Sequence, residues 1–187
     1  MMFDIQLSFD GGYLKLLKSE DVHVSYVNGL NDPDVNRYLD SVKQSVQTEK
    51  SVADFIQYNI DSKDSVFFGI WQDGALNHCG TVRLHGIENF HHTAHIGVCI
   101  FDKTAWGKGL GSKAIKVFSN WALNFFNLRW VEAGAYEQNI ASQKAFLLAG
   151  YEWMYDISGK YLFEEKPAKV KLYALQASVN LDNNYRT

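Results

Sequence analysis

Residues 106–112 place three glycines, a tryptophan and a lysine directly before a helical pattern, in the order Trp-Gly-Lys-Gly-Leu-Gly-Ser. The first N–H groups of a helix have no partner inside the helix, and the helix dipole adds about half a positive charge at that end. Glycine has no Cβ, so a ligand can approach the main chain closely. The stretch therefore predicts a cradle for a pyrophosphate group, with an ordinary glycine turn as the alternative.

Two other glycine fingerprints do not fit this stretch. The dinucleotide fingerprint has the order G-x-G-x-x-G, whereas Gly107 and Gly109 are followed by Ser112 at the last position. The P-loop places four residues between its glycines and ends in Gly-Lys-Ser or Gly-Lys-Thr. Here the serine precedes the lysine, in Gly111-Ser112-Lys113. The sequence therefore argues against both of these nucleotide-binding loops.

A second pattern lies downstream, where Asn139-x-x-Ser142 is followed by a Gly-Tyr pair at Gly150. Together with the Gly-x-Gly of the cradle, it resembles the two signatures of the GNAT family of N-acetyltransferases, in which (Gln/Arg)-x-x-Gly-x-Gly/Ala leads into a helix. Trp106 stands where many members carry Gln or Arg, and Trp-Gly-Lys-Gly is similar to the variant of the RimJ/RimL-like branch. The resemblance covers about residues 13–177.

This resemblance implies acetyl-coenzyme A (acetyl-CoA) as co-substrate and direct transfer of its acetyl group to a primary amine, with no metal and no covalent enzyme intermediate. Pantetheine would lie like an extra strand between two splayed strands, at 94–101 and 129–136. The residues that the resemblance assigns to the cofactor come from the first splayed strand, the cradle and the later signature: Ile100, Phe101, Trp106, Gly107, Lys108, Gly109, Leu110, Gly111, Ser112, Asn139 and Ser142.

Ser142 matches the serine that would protonate the departing thiolate in this branch. Many relatives instead carry a tyrosine seven residues after the asparagine, but here that position is Phe146, which has no hydroxyl. A coenzyme A thiol should have a pKa near that of cysteine, about 8.5, so the demand on the acid is modest. Asn139 and Ser142 also fit a simple helix N-cap, and the two roles are compatible.

The base is sought on the first splayed strand, where His95 stands in the position that many branch members fill with Glu, just before Ile96. Histidine changes its charge near neutral pH and can accept an amine proton directly or through water. A structural, half-exposed histidine is the alternative. Glu132 and Glu137 on the next strand are further candidates for the base, or solvated strand residues.

Neither the histidines nor the cysteines indicate a metal site. His91, His92 and His95 straddle a loop and a strand, without the helical H-E-x-x-H context of zinc enzymes. Cys79 and Cys99 have neither the number nor the spacing of a zinc site or a disulfide framework. We expect no bound metal and two reduced thiols in the core.

Hydrophobic periodicity predicts the elements that position these residues. Strand patterns cover 13–17, 66–71, 80–84, 94–101, 129–136, 151–157 and 169–177. Helical patterns begin after Ser19, Asp32 and Thr48, from about Leu110, and over 139–149; a loop around Gly159 and Pro167 joins the last two strands. The fold class is therefore α+β: a single domain with a mixed, mostly antiparallel central sheet of six to seven strands, a splayed central pair and flanking helices.

Length, net charge and apolar content limit the number of domains, the classes of binding partner and the location of the protein. The 187 residues favour one domain, spanning 1–187 with a core at about 13–177 and a polar tail at 180–187. A net charge of −3 gives no basic footprint for nucleic acid or an anionic membrane. The first residues resemble no signal peptide and no apolar run is long enough to span a bilayer, so a cytoplasmic location is expected.

The acceptor is not encoded in a readable motif. By similarity to the branch, a protein N-terminal α-amine is slightly favoured over a small amine such as an amino sugar, a polyamine or an amino acid. A non-catalytic module that binds acyl-CoA is the alternative from a different class, because both the tyrosine and the strand glutamate of many relatives are replaced. We expect a monomer or a homodimer.

Overall fold

The computed structural model describes residues 5–177, which build one mixed sheet with the strand order β1-β2-β3-β4-β5-β6-β8-β7. The strands are Gln6–Phe9 (β1), Gly12–Leu16 (β2), Ser65–Gln72 (β3), Gly80–Glu88 (β4), Thr93–Ile100 (β5), Trp130–Tyr136 (β6), Glu152–Phe163 (β7) and Lys166–Gln176 (β8). The α-helices are Val24–Asn31 (α1), Pro33–Asn36 (α2), Glu49–Asp61 (α3), Leu110–Phe125 (α4) and Ile140–Leu148 (α5). The polar tail predicted at 180–187 lies outside the described residues.

The predicted α+β class and the mostly antiparallel sheet are confirmed, with eight strands instead of six to seven. The extra strand, β1, pairs with β2 through a turn at Gly11, whose φ of +91° favours glycine. The helix expected after Ser19 begins instead at Val24, because His23 caps it: the His23 Nδ1 accepts a hydrogen bond from the Tyr26 N–H at 3.1 Å.

Two other predicted helix starts are confirmed by their caps. The Asp32 carboxylate accepts the Asp34 N–H at 2.9 Å, and proline follows at the first helical position of α2. The Thr48 Oγ1 accepts the Ser51 N–H at 3.1 Å and opens α3. Both side chains satisfy an N–H group that a helix start leaves unpaired, so these boundaries follow from local sequence.

The splayed central pair is also confirmed. β5 and β6 run parallel and pair only at their beginnings, where Thr93, Ala94 and His95 lie opposite Trp130, Val131 and Glu132. Beyond His95, β5 continues to pair with β4 on its other side, while β6 continues to pair with β8. A wedge-shaped gap therefore opens between β5 and β6 toward their C-terminal ends.

The end of the chain differs from the prediction of a loop around Gly159 and Pro167, because both residues lie inside strands. The turn between β7 and β8 is Glu164-Glu165, both with positive φ, of +50° and +64°. Gly159 sits in a β-bulge, between the Ser158 and Tyr161 pairs of the ladder. The last residue of β6, Tyr136, pairs with Val170, so Pro167 lies past the end of β6 and no β6 carbonyl needs its missing N–H.

The two faces of the sheet carry different helices. On β3, Phe68 and Ile70 are fully buried in the core cluster that includes α4. Their neighbours Phe67 and Trp71 belong to the cluster that includes α1 and α3. Because side chains alternate across a strand, the sheet separates α4 and α5 from the N-terminal helices.

Among the described residues, the helices are all too short or too polar to cross a membrane.

Candidate active site

The glycine cradle is formed where α4 begins. Gly109 caps the helix with φ +74°, and Gly107 has the same φ, so both occupy the left-handed region that favours glycine. Lys113 is the first residue of α4 whose N–H reaches a carbonyl of the helical ladder, that of Gly109, at 3.2 Å. The N–H groups of the preceding turn, up to Ser112, are therefore available to an anion.

The surroundings of Gly111 indicate whether the space at the start of α4 suits a ligand. Its φ is not in the left-handed region, and a Cβ built on it would come no closer than 3.8 Å to another atom, the Ile100 Cγ1. Neither backbone strain nor packing against the protein therefore requires glycine at this position. A ligand that lies against the main chain would require it, so Gly111 fits a pyrophosphate cradle.

Trp106 holds the turn that leads from β5 into the cradle. Its indole Nε1 donates a hydrogen bond of 2.8 Å to the Ile100 carbonyl at the end of β5. Between them, a turn over Lys103–Ala105 is capped by Asp102, whose Oδ1 accepts the Thr104 N–H at 2.9 Å. The tryptophan thus ties the cradle to the strand that precedes it.

The two lysines of this region point to different partners. The Lys113 Nζ lies 2.6 Å from the Asp10 Oδ2 and 3.0 Å from the Asp10 carbonyl, in the β1–β2 turn. This contact lowers the pKa of the Asp10 carboxyl, chiefly through the hydrogen bond from Lys113. Lys108 is exposed beside the cradle, so it is the lysine with room to face a phosphate.

Phe101 is buried, with its ring centroid 4.5 Å from that of Tyr26 and 5.1 Å from that of His78. Its N–H donates to the Cys79 carbonyl at 3.1 Å. The Phe101 side chain therefore packs in the N-terminal core, so the predicted cofactor contact of this residue would use its main-chain carbonyl.

Asn139 and Ser142 form the expected cap of α5, since the Asn139 Oδ1 accepts the Ser142 N–H at 3.2 Å. A residue that sequence reasoning missed stabilises this turn: the buried Gln143 donates through Nε2 to the carbonyls of Tyr136, at 3.0 Å, and Glu137, at 2.7 Å. The signal available in the sequence was a glutamine inside an apolar helix pattern. Together these bonds hold the junction from β6 to α5.

A cavity of about 280 Å³ opens on the sheet face opposite α4 and α5, beside the β5–β6 gap. Its floor includes Glu132, Gly134 and Tyr136, which alternate along β6 and so share one face. Asn139 also lines it, whereas Ser142 does not. The full lining is Tyr38, Asp40, His95, Glu132, Gly134, Ala135, Tyr136, Asn139, Tyr161, Val170 and Leu172.

His95 and Glu132 meet at the narrow end of the gap, where they form the last pair between β5 and β6. The His95 Nδ1 lies 3.7 Å from the Glu132 Oε1, and the His95 side chain is 55% exposed. Two candidates for the base, which the sequence offered as alternatives, are thus brought together in the cavity. The third candidate, Glu137, instead pairs with Lys169, at 3.1 Å.

Asp40 and Tyr136 meet at the other end of the cavity, a contact that sequence reasoning missed. The Tyr136 hydroxyl lies within hydrogen-bond distance of the Asp40 Oδ2 and of the Leu162 carbonyl. Burial raises the pKa of the Tyr136 phenol, and the hydrogen bond to Asp40 adds to this effect. The phenol therefore stays neutral and donates its proton. Nothing in the polar loop around Asp40 pointed to this pairing, which joins residues 96 positions apart.

Within residues 5–177, no three histidine, cysteine or acidic side chains converge as metal ligands would. Both cysteines are free.

Comparisons with known proteins agree with this architecture. The model of the acetyltransferase (GNAT) domain family matches residues 13–152. No curated protein sequence matches the chain. One similar solved structure is RimL, a ribosomal L7/L12 α-N-protein acetyltransferase in complex with coenzyme A, with a TM-score of 0.79, 15% identity, and coverage of 92% of this chain and 98% of that one.

Two further structures resemble the chain. The ribosomal-protein-S5-alanine acetyltransferase from Vibrio fischeri has a TM-score of 0.76 and 18% identity, with coverage of 94% of this chain and 98% of that one. The spermidine N-acetyltransferase from Vibrio cholerae, in complex with CoA and spermine, has a TM-score of 0.77 and 15% identity, with coverage of 90% and 96%. These likenesses show the fold. The family match extends over most of the chain, from the first predicted strand through α5, and the chain therefore belongs to the GNAT family of acetyltransferases.

Proposed function

We propose that this acetyltransferase moves the acetyl group of acetyl-CoA directly to a primary amine held in the cavity beside β6. The observation that carries the proposal is the β5–β6 gap, because the cradle lies at the C-terminal end of β5 and the cavity lies along β6. A ligand that extends from the cradle into the gap reaches the cavity from the other side of the sheet. Donor and acceptor would meet there, in keeping with the direct transfer, without a covalent enzyme intermediate, that the family resemblance implies.

The cradle residues 106–112 would hold the pyrophosphate through the N–H groups at the start of α4. Ile100, the carbonyl of Phe101 and the Asn139 side chain would contact the pantetheine arm, as the family resemblance implies. When bound, the cofactor supplies an activated acetyl thioester. The fit rests on the space at Gly111, where a side chain has room but the protein itself gives no reason for glycine.

His95 and Glu132 would accept the proton that the amine loses on acetylation, either directly or through water. Ser142 remains our candidate for the group that returns a proton to the departing thiolate. It lies one helical turn from Asn139, which lines the cavity, although Ser142 itself does not. We therefore place the base in the cavity and the acid at the start of α5, on the side toward the cofactor.

The acceptor is a primary amine. A protein N-terminal α-amine, with an ordinary pKa of about 7.7–8.0, would need little help from a base, whereas an alkyl amine near 10.4 would need more. Both kinds of acceptor occur in the names of similar structures. The cytoplasmic location, the lack of nucleic-acid or membrane partners and the monomeric or homodimeric state stay predictions from the sequence.

The test follows free thiol while the pure protein is incubated with acetyl-CoA and a panel of primary amines. We expect coenzyme A to raise the Tm and at least one amine to release thiol. A rise in Tm without release on any amine would favour the non-catalytic acyl-CoA-binding module. No rise in Tm would contradict the cradle itself.

A matched pair of variants locates the cofactor. Gly111→Glu adds bulk and negative charge where the main chain has room, so we expect coenzyme A affinity to fall at least 100-fold. Asn120→Glu adds the same charge on an exposed position of the same helix, and should leave the affinity unchanged. Equal affinity in both variants would place the pyrophosphate elsewhere.

A further inference from the structure

The cavity has a carboxylate at each end of one strand face. Glu132, Gly134 and Tyr136 share that face of β6, and the four-residue step between the first and the last spans about 13 Å at roughly 3.3 Å per residue. Glu132 supplies the carboxylate at one end. At the other end, Tyr136 donates to Asp40, which supplies the second. The cavity is therefore elongated and acidic at both ends.

The middle of this face is kept open by Gly134. A Cβ at this position would lie 3.3 Å from the Val170 Cγ1, so even alanine would crowd the neighbouring strand. The open floor joins the two acidic ends without a side chain between them. An extended aliphatic chain would fit along it, whereas a bulky ring would meet Val170 and Leu172.

The walls also suit a cation. Tyr38 and Tyr161 line the cavity, and aromatic faces attract ammonium groups. Its lining, as formed by the described residues, contains no lysine or arginine. Cations of the chain itself compete for these groups: Arg37 and Lys160 lie over the Tyr38 and Tyr161 rings, 5.6 Å and 5.2 Å from their centroids. At the carboxylate, the Lys43 Nζ lies 2.7 Å from the Asp40 Oδ1. That pair is partly exposed, with side-chain accessibilities of 34% and 46%, and such pairs are weak enough for a ligand ammonium to displace the lysine.

We infer that the acceptor is a linear aliphatic diamine or polyamine, held with one ammonium at Asp40 while its other amine is acetylated beside His95 and Glu132. This inference rests on the proposed function and narrows it from any primary amine to one with a second positive charge. The reacting amine loses its proton to the His95–Glu132 pair and forms the amide bond as the thioester C–S bond breaks. The distal ammonium stays charged and fixes the orientation.

The orientation follows from where the gap narrows. His95 and Glu132 are the last pair before β5 and β6 separate, so they lie where a cofactor in the gap would end. Asp40 lies in the loop after α2 and reaches the cavity from outside the sheet, four residues along β6. The end at His95 is therefore the reacting end, and the end at Asp40 selects the acceptor.

The experiment compares kcat/KM for linear diamines of three to ten carbons, for the matching monoamines, and for a peptide with a free N-terminus and no lysine. We expect long diamines to exceed monoamines of equal length by at least tenfold, and the peptide by more. Equal or better turnover of monoamines or of the peptide would overturn this inference while the proposed function stood. No turnover of any amine, with coenzyme A still bound, would contradict the proposed function.

Asp40→Asn keeps the size of the side chain and its bond from Tyr136, but removes the charge. We expect the ratio of kcat/KM for diamine over monoamine to fall at least tenfold, mostly through KM. Asp54→Asn removes an exposed carboxylate of α3, outside the cavity, and should keep the wild-type ratio. An unchanged ratio in Asp40→Asn, with a Tm like that of the wild type, would also overturn the inference.

Discussion

The cradle and the acceptor cavity are built in opposite ways. The cradle uses main-chain N–H groups of one continuous segment, in which Gly107 and Gly109 supply the unusual φ values. The cavity uses side chains from the loop after α2, from β5, from β6 and from the last hairpin. A group common to many ligands can be bound by backbone that any member of a family shares. A variable ligand requires side chains that each member can change separately, and we therefore propose that specificity lies in the cavity of the present chain.

The variant with the largest expected effect on this contrast is His95→Gln, which removes the proposed proton acceptor from the cavity. We expect kcat/KM for an alkyl amine to fall about 100-fold, the lower end of what general bases contribute, with coenzyme A affinity unchanged. Steady-state rates over a pH series measure it. His91→Gln, on the exposed turn between β4 and β5, is the control and should keep the wild-type rate. Equal rates in both variants would remove His95 from the chemistry.

A second test concerns distant contacts in the N-terminal core, on the sheet face opposite α4. His23 and His78 come from separate segments and pack against Phe101, which directly follows β5. The His23 Nδ1 accepts the Tyr26 N–H, so its Nε2 carries the proton and donates to the His78 Nδ1, at 3.2 Å. A second proton on His78 would therefore face another donor. Burial, together with the nearby charges of His23 and Lys15, lowers the pKa of His78 to about 3.

The sign of the pH effect follows from this lowered value. The unfolded chain takes up the proton near pH 6.5, whereas the folded protein resists it down to about pH 3. The stabilisation by neutral His78 is therefore complete above pH 6.5 and declines as the pH falls. Between pH 7.5 and pH 5 we expect a loss of about 2 kcal/mol in the free energy of unfolding.

Urea titrations at both pH values measure this loss in the wild type and in His78→Leu. The variant should lose about 2 kcal/mol less than the wild type over the same interval. Subtracting the two removes the contribution of the other titrating groups. If the two proteins show the same pH dependence, the His23–His78 contact is not the acid-sensitive element of the fold.

Ser142→Ala tests the proposed proton donor at the start of α5, where the cradle and the cavity meet. We expect kcat to fall about tenfold, worth about 1.4 kcal/mol, because water can replace a weak proton donor for a thiolate. Cofactor affinity should change little, since the main-chain N–H of residue 142 remains and still donates its hydrogen bond to the Asn139 Oδ1. Pre-steady-state release of thiol measures the chemical step. A rate equal to that of the wild type would exclude Ser142 as the acid.

The smallest expected effect separates the two lysines of the cradle. Lys108→Met should weaken coenzyme A binding by about threefold, as loss of one exposed charge contact does. Lys113→Met should leave it unchanged, because Lys113 is engaged with Asp10. Isothermal titration calorimetry resolves the difference. The opposite order would mean that the Asp10 contact breaks when the cofactor binds.

The fold was predictable where a local signal sets it. Asp32 and Thr48 cap their helices through bonds to residues two or three positions away, and such bonds depend on the sequence alone. The prediction for the last hairpin was wrong. Gly159 and Pro167 are usual turn residues, yet the turn is made by two glutamates with positive φ. The long pairing of β7 with β8 outweighs this local preference, and single-sequence patterns do not contain that contribution.

The candidate site also has residues that local motifs predicted and residues whose contacts depend on distant parts of the chain. The positions of Gly109, Asn139 and His95 in loop, cap and strand followed from short motifs. Asp40 and Tyr136 had no such signal, because their contact depends on the loop after α2 lying over β6. The acidic character of the cavity therefore became visible only in three dimensions.

The short pairing of β5 with β6 has a consequence for the protein without its ligand. Beyond His95, the β6-facing main chain of β5 forms an edge inside the sheet, with no neighbouring strand among the described residues. An exposed strand edge is a template for pairing with another extended chain, and proteins usually cover such edges. The gap that we propose for the co-substrate is thus also an exposed edge at which aggregation could begin. A saturating co-substrate would act as its cover, which links the colloidal stability of this protein to its supply of acetyl-CoA.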